Sequence, residues 1–269
     1  MSLSRWGLSG WATVVERHSR ASGFVFAVVL LLVWELLARA IDGFAFYLPP
    51  FSSILSALWK MTRSGEIPHH VLQTLGRLFL GYACGILAAV PLGTVIGYSR
   101  PLYHVSEPTL ELLRPAPAIA IMPIAFLFFG LDIRMKVFVI AWGAFWPILL
   151  NAIDGVRSID TVLFETARVY GYAGGRMLRR IVLPAALPYT MAGLRLGLTI
   201  SIILAIFVEI FTSGSGLGFL IVEYRAAIRI PEVYASILVV ALLGYALNAG
   251  FMTVEDRAIR WYRESHETG

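Results

Sequence analysis

The feature that most constrains this chain is a series of apolar runs, each close to the length that crosses a lipid bilayer. A helix needs about 20 apolar residues to span the hydrocarbon core. Six stretches approach that length, and the spans are predicted at Gly23–Ile41, Thr74–Tyr98, Leu110–Leu131, Lys136–Ile153, Pro188–Phe211 and Val233–Val254. The predicted fold class is therefore all-α, a polytopic membrane protein with about six transmembrane helices.

The composition supports a membrane protein. Of the 269 residues, 58% are hydrophobic and 14% are charged, whereas a soluble domain carries about 25% charged residues. The net charge of +5 comes from arginines in short segments between the apolar runs. That pattern indicates membrane topology and attraction to anionic lipid, and nucleic acid is not expected as a partner.

Two further features bear on the apolar runs. The first run is favoured as an uncleaved helix over a signal peptide, because it is long and Arg39 separates the small residues Ala38 and Ala40. Cys84 is the single cysteine and lies inside an apolar run, so we expect a buried core residue and no disulfide within the chain.

Lysine and arginine residues between the runs predict the orientation. Placing both termini in the cytoplasm puts most of these residues in the inner segments, as the positive-inside rule requires. This predicts a cytoplasmic N-terminal segment (1–22), a transmembrane domain (23–254) and a cytoplasmic C-terminal tail (255–269).

The polar stretch between the fourth and fifth runs, about residues 154–187, holds the most functional information. Apolar residues recur there at helical spacing on both sides of Gly171, which can end a helix in the left-handed conformation. We predict two short amphipathic helices joined at this glycine, with Pro184 ending the second and Pro188 opening the next span. Such an element either lies on anionic lipid or docks into a groove of a partner protein.

This stretch resembles the signature of the permease subunits of bacterial ABC importers. That signature is Glu-Ala-Ala, a glycine six residues after the glutamate, an isoleucine ten residues later, and then Leu-Pro. The matching residues are Glu165, Thr166, Ala167, Gly171, Ile181, Leu183 and Pro184, with Thr166 standing where alanine is usual. The resemblance implies that the loop is a coupling helix seated in a cleft of a separate ATPase.

Four other stretches look like one subfamily, the permeases for taurine, alkanesulfonates, nitrate, bicarbonate and some pyrimidine precursors. They are LPPFSSIL, LRPAPAIAIMPIAFLFFG, WPILLNAIDGVRSID and SGSGLGFLI. The resemblance implies the type I ABC importer permease fold in the bacterial inner membrane and a small, anionic solute. The alternatives are a pyrimidine-type or other small organic solute, or a membrane scaffold that does not transport.

The same resemblance implies the partners. They are a second permease copy, two copies of the ATPase, and a periplasmic or lipid-anchored substrate-binding protein. ATP and Mg would be bound by the ATPase, because the sequence has no Gly-x4-Gly-Lys-Ser/Thr phosphate loop. We expect no cofactor, metal site or catalytic residue in this chain. A membrane enzyme or a channel is the rival class, although SGSGLG is the single stretch that could mimic an ion filter.

Polar residues within or beside the spans are candidates for the pathway. Glu209 lies deep in the fifth span, where it could be an ion-pair partner, a gate residue or part of the pathway wall, and Thr199 and Ser201 share its helix. We expect Glu35, Arg77, Arg114 and Arg195, nearer to span ends, to be structural or to anchor the protein at the lipid surface. The glycine-rich segment after the fifth span is predicted to help close the pathway on the outer side, and its candidates are Ser213, Gly214, Gly216 and Gly218.

Overall fold

The computed structural model describes residues 25–41, 43–114, 117–212 and 214–260. These residues form helices joined by short connections. The α-helices, in chain order, are α1 (25–40), α2 (Phe44–Tyr47), α3 (Phe51–Arg63), α4 (Glu66–Tyr98), α5 (Arg100–Leu113), α6 (Met122–Phe129), α7 (Ile133–Arg157), α8 (Thr161–Val169), α9 (Gly174–Met177), α10 (Leu183–Phe211), α11 (Leu217–Ala226) and α12 (Ile230–Ala258). A 3₁₀ turn, Ala118–Ile121, precedes α6, and a π-helical turn, Leu178–Val182, joins α9 to α10.

The six predicted spans each correspond to a helix or a pair of helices that the structure describes in whole or in part. Within the described ranges, four helices are long and apolar enough to cross a membrane: α4, α7, the continuous helix Gly174–Phe211 and α12. A fifth crossing results if α5 and the helix from Ala118 to Phe129 form one bent span. The predicted span Gly23–Ile41 lies partly outside the described residues, and its described part is the helix α1.

The predicted span Leu110–Leu131 falls on a bent pair of helices. The two helices meet at 90°, and Pro117 stands just before the 3₁₀ turn. A proline removes a backbone donor and restricts the residue before it, so Pro117 favours a break at this point. The helix α4 begins at Glu66, before the predicted span start at Thr74.

The helix α7 is the centre of the bundle, between α4 and α10. Glycines allow this close packing: a Cβ at Gly81 would lie 2.7 Å from the side chain of Ile140, and one at Gly193 would lie 2.6 Å from Asn151 Cβ. Cys84 lies on the opposite side of α4 and is exposed, so its predicted place in the core is wrong. In a membrane span an apolar run need not be buried in protein, since lipid can cover it.

The helix that follows Gly174 is continuous through both prolines. The prediction that Pro184 ends it is wrong, because Pro184 occupies the first turn of α10, where its missing N–H group costs little. The π-helical turn before it absorbs the change in backbone pairing. The segment that carries the arginines is therefore fused rigidly to a membrane span.

The amphipathic helix α3 connects α1 to the rest of the chain. Its buried residues Ile54, Ala57 and Met61 face a second apolar cluster formed with α11 and the start of α12. Trp34 on α1 donates from Nε1 to the carbonyl oxygen of Pro49 over 3.1 Å. Glu35, expected to be structural, accepts hydrogen bonds from the backbone and hydroxyl groups of Ser52.

Contacts between helices define two ends of the bundle. The beginnings of α4, α7 and α12 meet the end of α10 near Glu209, and we call this the Glu209 end. The ends of α4 and α7 meet the beginning of α10 and the helix α8, and we call this the Glu165 end. The two groups of predicted functional residues therefore lie at opposite ends of the same helices.

Candidate functional site

The loop at the Glu165 end is built on local capping interactions. Asp160 caps α8 by accepting a hydrogen bond from the Val162 N–H over 2.9 Å. The helix ends at Gly171, whose φ of +76° is in the left-handed region, and the N–H of Tyr172 returns to the Ala167 carbonyl over 3.0 Å. Only glycine adopts this conformation routinely. The predicted role of Gly171 in ending this helix is confirmed.

The two faces of α8 have different environments. On one face Ala167 is buried with Phe164 and Tyr172 against Val156 and Val182, at the ends of α7 and the π-helical turn. The other face leaves apolar side chains exposed, with Val169 86% and Tyr170 78% accessible. An exposed apolar set on a helix that is anchored from behind is typical of a docking surface.

The remaining signature residues divide between these faces. Glu165 and Thr166, the substituted position, are both exposed. Ile181 is partly buried in the cluster behind α8, whereas Leu183 and Pro184 are exposed at the start of α10. The signature therefore combines residues that shape the loop with residues that present a surface.

A cleft of about 560 Å³ separates α8 from the ends of α4 and α7. Its charged lining residues are Arg100, Arg157, Arg168 and Glu165. The Arg157 guanidinium stacks on the ring of Tyr103 at 3.5 Å. The cleft is positively charged overall, and Glu165 is the acidic group at its rim.

At the Glu209 end, a buried ion pair joins α4 to α10. Glu209 is 1% accessible, and its carboxylate accepts from Arg77 Nη1 at 2.8 Å and from Thr74 Oγ1 at 2.9 Å. Such a pair persists in a low-dielectric interior only when further hydrogen bonds satisfy both groups. We call Thr74, Arg77 and Glu209 the polar cluster.

The segment 214–218 supplies those further hydrogen bonds. The Gly218 N–H donates to Glu209 over 3.1 Å, and the Leu217 N–H donates to Thr74 Oγ1 over 3.0 Å. Arg77 donates to the carbonyl of Ser215 over 2.8 Å and also to its hydroxyl. The segment between α10 and α11 is thus fastened to both spans by backbone groups.

Gly216 touches the cluster most closely. It has a φ of +112°, and a Cβ there would lie 2.1 to 2.3 Å from the carboxylate of Glu209. Gly214 has a φ of +131°, but a Cβ there would meet no atom within 4 Å. Both glycines therefore have a positive φ, but only at Gly216 would an added Cβ overlap another residue.

Of the two roles expected for Arg77, structural or anchoring at the lipid surface, the structure shows the first. The side chain is 9% accessible and turns into the bundle. Lys136, the first residue of a predicted span, is also buried and points to the carbonyl of Thr212 at 3.5 Å. Sequence reasoning missed Thr74 and Arg77 as partners of Glu209. The signal was available in principle, because a carboxylate deep in a span needs a cation on a neighbouring one.

The other pathway candidates do not join the cluster. Thr199 is exposed and donates to the Arg195 carbonyl of its own helix over 3.1 Å. Ser201 is buried, and its hydroxyl has no hydrogen-bond partner among the described residues. Arg195 pairs with Glu255 on α12 at 3.5 Å. Ser213 lies outside the described residues.

Two other groups beside the segment are fixed by hydrogen bonds. Tyr224 on α11 donates to the carboxylate of Glu66, and burial together with this bond raises the pKa of Tyr224 above its usual range. His70 on α4 accepts from the Gly216 N–H at Nδ1 over 2.9 Å. No group of three or more metal-ligating side chains comes together in the described ranges.

The sequence matches a known family over most of its length. Residues 81–263 match the family described as the inner membrane component of binding-protein-dependent transport systems. Over 252 residues the chain is 30% identical to a Bacillus subtilis protein named as an aliphatic sulfonates transport permease, covering 94% of this chain and 91% of the relative. The taurine transport system permease of Escherichia coli is 28% identical, with 94% of each chain covered.

One relative is named for a different solute. The riboflavin transport system permease of Chloroflexus aurantiacus is 30% identical, with 90% of each chain covered. Among solved structures, a chain of the MetNI methionine ABC transporter in an inward-facing conformation superposes with a TM-score of 0.63. It is 19% identical and covers 74% of this chain and 96% of that one, which shows a shared fold.

Proposed function

The chain belongs to the family of inner membrane components of binding-protein-dependent transport systems, and on that premise we propose that it moves a small sulfonate across the membrane as one half of a homodimeric importer. The chain is the permease subunit of an ABC importer, and its fold is that of the type I importer permeases. It is not an enzyme, since ATP is hydrolysed by a separate chain. Family membership also implies a substrate-binding protein as a partner.

The observation that carries the proposed mechanism is the anchored helix α8 with its exposed apolar face. In the proposal, the exposed residues Val162, Val169 and Tyr170 enter a cleft of the ATPase. Ala167 and Phe164, which are packed behind them, pass a movement of α8 on to α7 and α10. Because the helix from Gly174 to Phe211 is continuous, movement of α8 would pass along a single rod. At about 1.5 Å per residue that rod is about 57 Å long, so it reaches the opposite end of the bundle.

The Glu209 end is the proposed external closure of the pathway. The segment 214–218 lies at the far end of the same rod, and the polar cluster fastens it to α4. In this proposal both termini are cytoplasmic, so the Glu165 end faces the ATPases, of which two copies bind the homodimer. Each ATPase holds ATP and Mg. Opening of the pathway then requires that Glu209 and the segment separate from α4.

The substrate assignment rests on relatives. The sulfonate permeases favour a small anion. The riboflavin permease matches at a similar identity and supports the second candidate, a larger heterocyclic solute. In this importer class the binding protein selects the solute, so the permease sequence constrains the substrate weakly.

Co-purification with the partners tests the proposal. The chain is expressed with its ATPase and its binding protein, and ATP hydrolysis is measured with the binding protein loaded with an alkanesulfonate, taurine, nitrate, bicarbonate, a pyrimidine or riboflavin. We expect a complex of two permease and two ATPase chains that a sulfonate stimulates. Stimulation by riboflavin alone would assign the second candidate, and a stable complex with no stimulation by any binding protein would favour the scaffold.

A further inference from the structure

His70 lies at the point where the segment 214–218 touches α4, outside the polar cluster. Its ring is partly buried, stacks on Phe219 of α11 with centroids 6.0 Å apart, and accepts from the Gly216 N–H at Nδ1 over 2.9 Å. A backbone N–H group can only donate. The Nδ1 atom must therefore carry a lone pair, which requires the neutral imidazole with its proton on Nε2.

We propose that His70 is a positioning residue that holds the segment against α4 when it is neutral and releases Gly216 when it is protonated. This inference rests on the proposed function, because it assigns pH sensitivity to the proposed external closure. A protonated imidazole has two N–H donors and no acceptor, so the bond to Gly216 is lost. The N–H groups of Gly216 and of the imidazolium at Nδ1 are then two donors that face each other.

The surroundings favour a real change of position on protonation. The groups that act electrostatically on His70 are His69 and Glu66 of α4 and Glu223 of α11. The two carboxylates favour an imidazolium, although Glu66 also accepts a hydrogen bond from Tyr224, whereas His69 opposes a second positive charge. Across Gly216 stands the carboxylate of Glu209, which is already occupied by Arg77 and Thr74. Burial of the ring disfavours the charged imidazolium, so release of Gly216 requires a pH below about 6.5, where a free imidazole titrates.

The effect should be local and graded. The Leu217 and Gly218 N–H groups keep their bonds to Thr74 and Glu209 when Gly216 is released. Loss of one neutral hydrogen bond corresponds to roughly a two- to tenfold shift in an opening equilibrium. When His70 is neutral, hydrogen bonds at Ser215, Gly216, Leu217 and Gly218 hold the segment. When His70 is protonated, the bond at Gly216 is lost and the other three remain.

Hydrogen–deuterium exchange of peptide 214–220 tests this in the complete transporter in nanodiscs, with rates normalised for the intrinsic effect of pH. His70→Gln supplies an amide oxygen that accepts at every pH, and His70→Phe keeps the stacking on Phe219 but never accepts. His69→Gln is the matched control, since His69 is exposed and has no bond to the segment.

For the unmodified protein we expect exchange two- to tenfold faster at pH 4.5 than at pH 8. His70→Phe should exchange fast at both pH values, His70→Gln slowly at both, and His69→Gln like the unmodified protein. Equal protection of the unmodified protein at both pH values, or a pH response that survives in His70→Gln, would overturn the inference.

The ratio of solute taken up to ATP hydrolysed is measured on the same samples and compared with that of His70→Gln. This ratio separates the anchoring role of His70 from the proposed role of the segment as the external closure. One outcome is that exchange responds to pH while the coupling of ATP hydrolysis to uptake is the same at both pH values. That result would support the anchoring by His70 and contradict the role of the segment in closing the pathway. Coupling that falls with exchange at low pH supports both.

Discussion

Replacement of Gly216 by alanine adds a single carbon atom at the most crowded point of the Glu209 end. That carbon would lie 2.1 to 2.3 Å from the carboxylate of Glu209, well inside van der Waals contact. The carboxylate cannot turn away freely, because Arg77, Thr74 and Gly218 hold it. Relief of the overlap therefore requires that the segment lift from α4 or that the ion pair loosen.

The magnitude has two parts that a control can separate. A residue with a side chain in the extended positive-φ region of Gly216 costs about 1–3 kcal/mol in backbone strain, and overpacking of a filled site adds about 1–3 kcal/mol. Gly214→Ala shares the first part, since its φ is +131°, but meets no atom within 4 Å. The difference between the two variants isolates the contact with Glu209.

The assay is the ratio of solute imported to ATP hydrolysed in proteoliposomes, together with the midpoint of thermal unfolding of the purified complex. We expect Gly216→Ala to lower both relative to Gly214→Ala, with assembly intact because α8 is remote. The bulkier Gly216→Leu should abolish coupling. Equal coupling ratios and equal midpoints for the two alanine variants would refute the packing argument.

Three further predictions concern single contacts. Arg77→Met and Glu209→Leu should each destabilise the complex by about 3–5 kcal/mol, because each leaves a buried charge unpaired, whereas the double variant should recover much of that loss. Thermal unfolding of the two single variants and the double variant measures this, and additive losses would count against the ion pair. Gly171→Val should reduce coupling more than Glu165→Ala, since Glu165 supplies one charge-assisted contact of about 1.5–3 kcal/mol while valine must distort the loop at a φ of +76°. ATPase retention and substrate-stimulated hydrolysis of the two variants are compared, and full activity of Gly171→Val would show that this turn has no role in coupling. Val169→Asp, on the exposed face of α8, should weaken retention of the ATPase without affecting membrane insertion, and retention equal to that of the unmodified chain would show that this face is not the docking surface.

The residues that sequence reasoning placed well are those whose role is local. Gly171 ends α8 in the left-handed conformation, as its place between two helical patterns predicts. The interiors of α4, α7 and α12 also follow from apolar run length alone. Local propensity and hydropathy depend on near neighbours, so both can be derived from sequence.

The errors concern contacts between distant residues and the predicted end of a helix at Pro184. Arg77 and Glu209 are 132 positions apart, and no local pattern pairs them, so each was interpreted alone. Pro184 carries the same proline signal as Pro117, yet the first lies within a continuous helix and the second lies at the break between two helices that meet at a sharp angle. The outcome depends on whether the proline falls in the first turn of a helix, which the sequence leaves open.

Uptake by proteoliposomes that contain this chain, its ATPase and ATP on the ATPase side tests the central claim most directly. The measurement is accumulation of a radiolabelled alkanesulfonate presented by the binding protein on the opposite side. The account predicts accumulation against a gradient that requires ATP hydrolysis and the binding protein, and that is lost on omission of this chain. Accumulation without ATP, or hydrolysis that proceeds normally while no solute tested crosses the membrane, would contradict it.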